Sequence, residues 1–249
     1  MPKIKNKRYL QHFKKRKIDL ISPKEFYEKL NNIKARPHLQ NLLKDFFLLL
    51  YWTGRRPVEI LELKGEDFHT RLLKEKEESE KQGKEIFKEY LTIDTHTKKG
   101  GNEVEIHLLF ENIPGLKKFW ERIEGVPKDF EIFSLLISRN GQYISWKTKQ
   151  KEFILDGKPA LIPSKNRKKY YEEKCKRVYY WCNKYFGVPP YFFRHNRFSS
   201  MKINGASFED IKTFKGAKSM ASVEPYISPD EETLRGLGRG LFYNPQDNN

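Results

Sequence analysis

The sequence predicts an α+β fold, mainly helical, with a small antiparallel sheet. Three observations point to it. Apolar residues recur at helical spacing in several segments separated by proline and glycine breaks. Two short strand-like runs flank a glycine-bearing turn near the middle of the chain. At 249 residues the chain is long enough to bury a proper core.

The helices announce themselves in order. Ser22-Pro23-Lys24-Glu25 has capping-box spacing with proline at the first helical position, and Phe26, Leu30 and Ile33 follow at helical intervals. A second helix is expected from about Leu39 to Trp52, apolar nearly all round toward its end and therefore buried there. Thr53-Gly54 breaks it, and Pro57 restarts a helix through Val58, Ile60, Leu61 and Leu63, ending near Gly65. Residues 71–89 hold six basic and six acidic side chains, which predicts a solvated helical insertion with no site in it.

Strands are expected at Tyr90 to Thr95 and Val104 to Phe110, with Lys98-Lys99-Gly100-Gly101 at the turn. A short helix follows at Leu116 to Ile123. Residues 128–166 contain Asn140-Gly141 and Asp156-Gly157, which fit a second small hairpin. Three more helices are expected: a basic one from about Lys168 to Phe186, one from about Phe193 to Ile203, and one opened by Ser207 and closed at Gly216. Three units result: a basic arm over residues 1–20, one domain over 21–228 and a tail over 229–249.

Charge narrows the partner. The chain carries 49 Lys+Arg against 33 Asp+Glu, a formal net charge of +16. Such an excess suits a polyanion, because basic groups that neutralise phosphates release condensed counterions. The arm alone holds eight basic residues, Lys14, Lys15, Arg16 and Lys17 among them, against the single acid Asp19. From Lys147 to Arg177 there are eleven Lys/Arg and four acids, a pattern shared by DNA-facing surfaces and ordinary solvated faces. No run of 18 apolar residues and no secretory signal occurs. A cell-interior protein with no membrane partner is expected. The two cysteines, Cys175 and Cys182, fit neither a metal knuckle nor a disulfide framework. No acidic or histidine cluster has metal-ligand spacing, so neither a metal nor a cofactor is expected.

Three distant segments place basic side chains beside structural breaks. These are Thr53-Gly54-Arg55-Arg56-Pro57-Val58-Glu59, the hairpin lysines Lys98 and Lys99, and Tyr191-Phe192-Phe193-Arg194-His195 with Tyr226 32 residues beyond Arg194. Glu59, one turn after Arg56, is placed to orient its guanidinium. Each signal alone is ordinary, since surface arginines, turn lysines and packing tyrosines abound.

Their order resembles the tyrosine recombinase (phage integrase) family over about residues 20 to 227. Thr53, Gly54, Arg56, Glu59 and, one residue late, Leu61 match T-G-x-R-x-x-E-L. Thr97-Lys98-Lys99-Gly100 matches the family's hairpin lysine without separating the two lysines. Arg194-His195 matches the core of H-x-x-R-H. Phe214-Lys215-Gly216 stands where L-L-G would, ten residues before Tyr226. Tyr191 replaces the first histidine of the second box, and Ala217 replaces the histidine or tryptophan after the glycine. Lys215 or Lys218 then offers the charge missing at Ala217. The family's N-terminal clamp domain either lies outside this chain or is dispensed with.

The resemblance implies a tyrosine recombinase catalytic-domain fold and a defined chemistry on double-stranded DNA. Arg56 and Arg194 would bind the non-bridging phosphate oxygens, with Tyr191 a further hydrogen-bond donor to phosphate. Lys98 or Lys99 would protonate the departing 5′ oxygen. Tyr226 would become a 3′-phosphotyrosine, conserving bond energy for rejoining. DNA contacts are expected from Lys14, Lys15, Arg16, Lys17, Lys215 and Lys218, and His195 is expected to pack locally. Self-association on DNA as a dimer or tetramer is expected, with the tail bearing Leu234, Leu237, Leu241, Phe242 and Tyr243 docking either on a neighbour or on its own domain. Two rivals remain open: a type IB topoisomerase-like strand transferase, and a DNA-binding module that kept the fold and lost catalysis.

Overall fold

A computed structural model describes residues 20–96, 103–133, 136, 154–155, 158–159, 167–219 and 223. Lys14, Lys15, Arg16, Lys17, Lys98, Lys99, the Asn140-Gly141 turn, Tyr226 and the tail lie outside the described residues. Helix α1 spans Pro23–Asn31, and Ser22 caps it by accepting from the Glu25 N–H at 3.2 Å. Helix α2 runs Pro37–Thr53, and its second half is buried on every side from Phe46 through Tyr51. Phe26 stacks on Tyr51 with ring centroids 4.0 Å apart, which joins α1 to α2.

Helix α3, Pro57–Leu61, is one residue pair shorter than its apolar pattern suggests. The chain leaves it because Leu63 turns its carbonyl to the Ile132 N–H at 3.0 Å, docking on the segment around Phe133. Three antiparallel strands follow: β1 Phe68–Lys74, β2 Phe87–His96 and β3 Glu103–Leu109, with β2 central. Ile93 faces Phe68 in register on one side and Ile106 on the other, and these side chains are buried.

Strand β1 corrects the reading of residues 71–89. The insertion holds helix α4, Lys76–Gln82, but it is flanked by Arg71–Lys74 and Phe87–Glu89 in a paired ladder. This edge strand has little to bury, and Leu72 is 70% exposed, so it shows no apolar alternation. Cross-strand backbone bonds hold it. The sheet therefore has three strands where two were expected.

Helix α5, Leu116–Ile123, buries Leu116, Phe119 and Ile123 in the core. Strands β4 (Ile154–Leu155) and β5 (Lys158–Pro159) pair around Asp156-Gly157, the second hairpin expected. Helix α6 spans Arg167–Phe186 and buries Val178, Cys182 and Phe186. Helix α7 spans Tyr191–Ile203, two residues earlier than expected, and α8 spans Phe208–Lys215 with Ser207 as its cap. No helix among the described residues is long and apolar enough to cross a membrane.

Candidate functional site

The turn after α2 sits against α7, and glycine makes this possible. Gly54 has φ 60°, and a Cβ there would lie 3.0 Å from the Arg197 side chain. Thr53 Oγ1 donates to the Leu49 carbonyl at 2.6 Å and accepts the Arg55 N–H at 3.2 Å, which locks the turn. From opposite sides of α2's exit, the two arginines of the sequence motif then diverge.

Arg55 points inward and is 1% exposed. Its Nη1 donates to the Lys215 carbonyl at 3.0 Å and its Nη2 to the Phe214 carbonyl at 2.7 Å. These are end-of-helix carbonyls that α8 itself leaves without a donor. Burial and, after it, the charge of Arg194 pull the Arg55 pKa down to about 10. Arg56 instead keeps a third of its side chain in solvent. Glu59 accepts from the Arg56 backbone N–H at 2.8 Å and from its Nη1 at 2.7 Å, the orienting contact expected from the spacing. Burial pushes the Glu59 carboxyl upward, but the bonds and charge of Arg56 outweigh it and hold the net value below the ordinary one.

Arg194 lies on α7, 2% exposed. Its Nη1 donates to the Gly54 carbonyl at 2.7 Å, and its guanidinium carbon lies 4.8 Å from the Phe198 ring centre. Turn and helix are thus tied reciprocally: α7 grips the turn through Arg194, and the turn grips the end of α8 through Arg55. Lys215, the last residue of α8, is buried. Burial first, then the charges of Arg194 and Arg56, lower its pKa to about 8.

Arg56, Arg194 and Lys215 are therefore brought together. Tyr191 opens α7 three residues before Arg194 and is 42% exposed. Lys218 is exposed, so of the two lysines offered for the place of Ala217, Lys215 is the one enclosed with the arginines. Ala217 packs against the small cluster of Phe198, Ile211 and Val223. His195 Nδ1 lies 2.8 Å from Ser199 Oγ, the local contact expected of it. Sequence spacing passed over Arg55, because the motif treats its position as variable and nothing in the chain marks which carbonyls it will meet. Arg197, set over the Trp52 and Phe214 rings at 5.5 and 5.3 Å, was passed over too.

The expectation of no histidine and acid cluster needs correction on the sheet. His69, Asp94 and Glu105 bring ligand atoms within 4.8 Å of one another. They come from three strands, so no linear spacing reveals them. A cation already serves this group: Arg71 binds both Glu105 oxygens at 3.0 and 2.6 Å.

This helical domain with a three-stranded antiparallel sheet has the catalytic-domain fold of the tyrosine recombinases. It is similar to the XerH site-specific recombinase bound to a palindromic difH substrate in a post-cleavage complex, with a TM-score of 0.53 and 17% identity over 89% of this chain and 51% of that one. The pre-cleavage XerH complex with difH gives 0.50 and 17% over 89% and 52%, and the XerA recombinase gives 0.50 and 15% over 91% and 65%. The chain thus spans between 51% and 65% of the length of these recombinases, and at such identities the likeness is one of fold. No family model and no curated protein matches the sequence.

Proposed function

We propose that residues 21–228 form the catalytic domain of a site-specific DNA recombinase or integrase that cuts and rejoins DNA through a 3′-phosphotyrosine at Tyr226. The observation that carries the reading is the enclosed cation group, Arg56, Arg194 and Lys215, with Glu59 fixing Arg56. Phosphodiester transfer concentrates negative charge on two non-bridging oxygens, and guanidiniums bind such oxygens with paired, charge-assisted bonds. Cations gathered in a low-dielectric pocket attract a further anion strongly. A DNA phosphate is the anion that the net charge of +16 would attract. The arm over residues 1–20 would lie along the DNA backbone, the tail over 229–249 would serve assembly of two or four protomers, and the enzyme would act inside the cell that holds its DNA.

The test is a duplex nicked near its target bond, so that the cleaved end diffuses away and traps the protein. An adduct is expected, formed in EDTA because side chains provide the charge, mapped to Tyr226 and absent from Tyr226→Phe. A second reading, a DNA-binding module without catalysis, draws on Tyr191 and Ala217 standing where the family has other residues. It predicts DNA binding with no adduct from the unaltered chain. An adduct on Tyr243 would overturn the assignment of the nucleophile.

A further inference from the structure

The arginines gathered around the turn after α2 differ in what they hold. Arg55 donates to two carbonyls and Arg194 to a third. Arg197, one turn beyond Arg194 on α7, is held by rings instead. Its guanidinium carbon lies 5.5 Å from the Trp52 ring centre and 5.3 Å from that of Phe214. Both walls of this slot are themselves fixed. Trp52 Nε1 donates to the Tyr27 hydroxyl at 3.1 Å, and Phe214 meets Phe198 edge-on with centroids 6.4 Å apart. The stem of Arg197 lies against the turn at Gly54, where a Cβ would lie 3.0 Å from it. Ring faces attract a cation, but they accept no hydrogen bond in the plane of a guanidinium. Arg197 Nε is buried without an acceptor among the described residues, and no carboxylate among them pairs with this arginine. Burial holds its pKa below the ordinary arginine value.

The surroundings of Arg197 tie it to the DNA path proposed above. Asn196, the residue before it, grips the main chain of Ile21: its Oδ1 accepts the Ile21 N–H at 2.8 Å and its Nδ2 donates to the Ile21 carbonyl at 3.2 Å. Tyr51 donates to the same carbonyl at 3.0 Å. The domain end of the basic arm is thereby fixed to α7. Arg197 shares one stretch of that helix with the root of the arm and with Arg194.

We infer that Arg197 is a DNA-binding residue: its guanidinium, set between Trp52 and Phe214, takes a backbone phosphate next to the one held by Arg56 and Arg194. The inference rests on the function proposed above, which supplies the ligand. Arg194 lies over the Phe198 ring and Arg197 over the Phe214 ring, so the two guanidiniums occupy different places on this ring pair and address different phosphates. An arginine held between rings is already oriented, so it loses little freedom when it binds. Its planar fork offers a phosphate two parallel, charge-assisted hydrogen bonds.

Salt separates a phosphate contact from a packing role, because each neutralised phosphate contributes about 0.9 to the slope of log K against log salt. A mixed-sequence DNA duplex is titrated with the unaltered chain, Arg197→Met, Arg197→Lys and Arg71→Met, the last removing one charge from the sheet. Arg197→Met is expected to bind more weakly, with a slope shallower by about 0.9. Arg197→Lys should keep the slope, and Arg71→Met should match the unaltered chain. If Arg197→Met lacks a cooperative melting transition, Arg197→Gln is read in its place. Unchanged affinity, or weaker binding with an unchanged slope, makes Arg197 a packing residue and overturns the inference. A slope reduced equally in Arg71→Met reports net charge alone and overturns it too. On the nicked duplex, single methylphosphonates, each removing one phosphate charge, locate the contact. One position flanking the cleaved bond should weaken binding of the unaltered chain and leave Arg197→Met indifferent. No such position, or its coincidence with the cleaved phosphate, contradicts the assignment. These readings need binding alone, so an adduct assay that fails overturns the proposed chemistry and not this inference. A chain that binds no duplex overturns both.

Discussion

Two charged regions of this protein are built on opposite terms. Around the sheet, charges are matched and most of them solvent-exposed: Arg71 with Glu105, Lys74 with Glu85, Lys88 with Glu78, His69 beside Asp94. At the turn after α2, Arg55, Arg194 and Lys215 are buried, Arg56 is half-buried, and the Glu59 carboxylate binds Arg56 and bears on Arg55 and Arg194. The first arrangement solvates a surface and contributes little to stability. The second sets desolvated cations beside one another, Arg55 beside Arg194 and Lys215 beside Arg194 and Arg56. An anion bound there would relieve that repulsion.

The difference is largest in catalysis. Arg194→Ala and Arg56→Ala are each expected to slow adduct formation about 10²–10³-fold, the effect of removing one preorganised donor to a developing oxyanion. A single-turnover trapping assay reads it, and a loss below tenfold would make the corner an ordinary cation patch. Arg55→Met should act mainly through stability. It removes two charge-assisted bonds to the carbonyls of Phe214 and Lys215, at a cost of roughly 1–3 kcal/mol in denaturant unfolding. Cleavage by the folded fraction should fall less than in Arg194→Ala. Arg71→Ala, the control on the sheet, should change stability by no more than about 0.5 kcal/mol and leave cleavage unaltered. A large loss there would show that the sheet face also meets DNA.

Much of this contrast was written in the chain, though unevenly. The helices with strong apolar periods and clear caps, Pro23–Asn31 and Phe208–Lys215, stand where Ser22 and Ser207 placed them. Strand β1 was illegible because an exposed edge strand has no face to alternate with, and its ladder partners are more than ten residues away. At the site, the spacing from Arg56 to Glu59 was readable because both lie within one helical turn. Arg55 was not, because its role is set by carbonyls 159 and 160 residues away. Lys215 was noticed as a charge near Ala217. Its enclosure was not, since that depends on how α8 meets α7 and the turn.

Lys215 also leaves a mark on stability. Its folded pKa lies below the unfolded value of about 10.4. Below about pH 8 it is charged in both states and folding bears the full penalty. Between those values the unfolded chain binds more protons, so the Lys215 contribution to stability rises with pH. The difference between the unaltered chain and Lys215→Met isolates it from other groups. That difference should shrink steadily as pH is raised from about 8 to about 10. A flat difference would mean that Lys215 titrates like a surface lysine.

The most direct measurement is the titration of Lys215 itself, followed by NMR of the labelled lysine side chain and assigned by its absence in Lys215→Arg. If the corner is an enclosed cation group held open for a DNA phosphate, Lys215 titrates at about 8 in the free protein and moves upward once a DNA duplex is bound. If Lys215 titrates near the ordinary lysine value of about 10.4 and DNA does not move it, the corner is not the phosphate site.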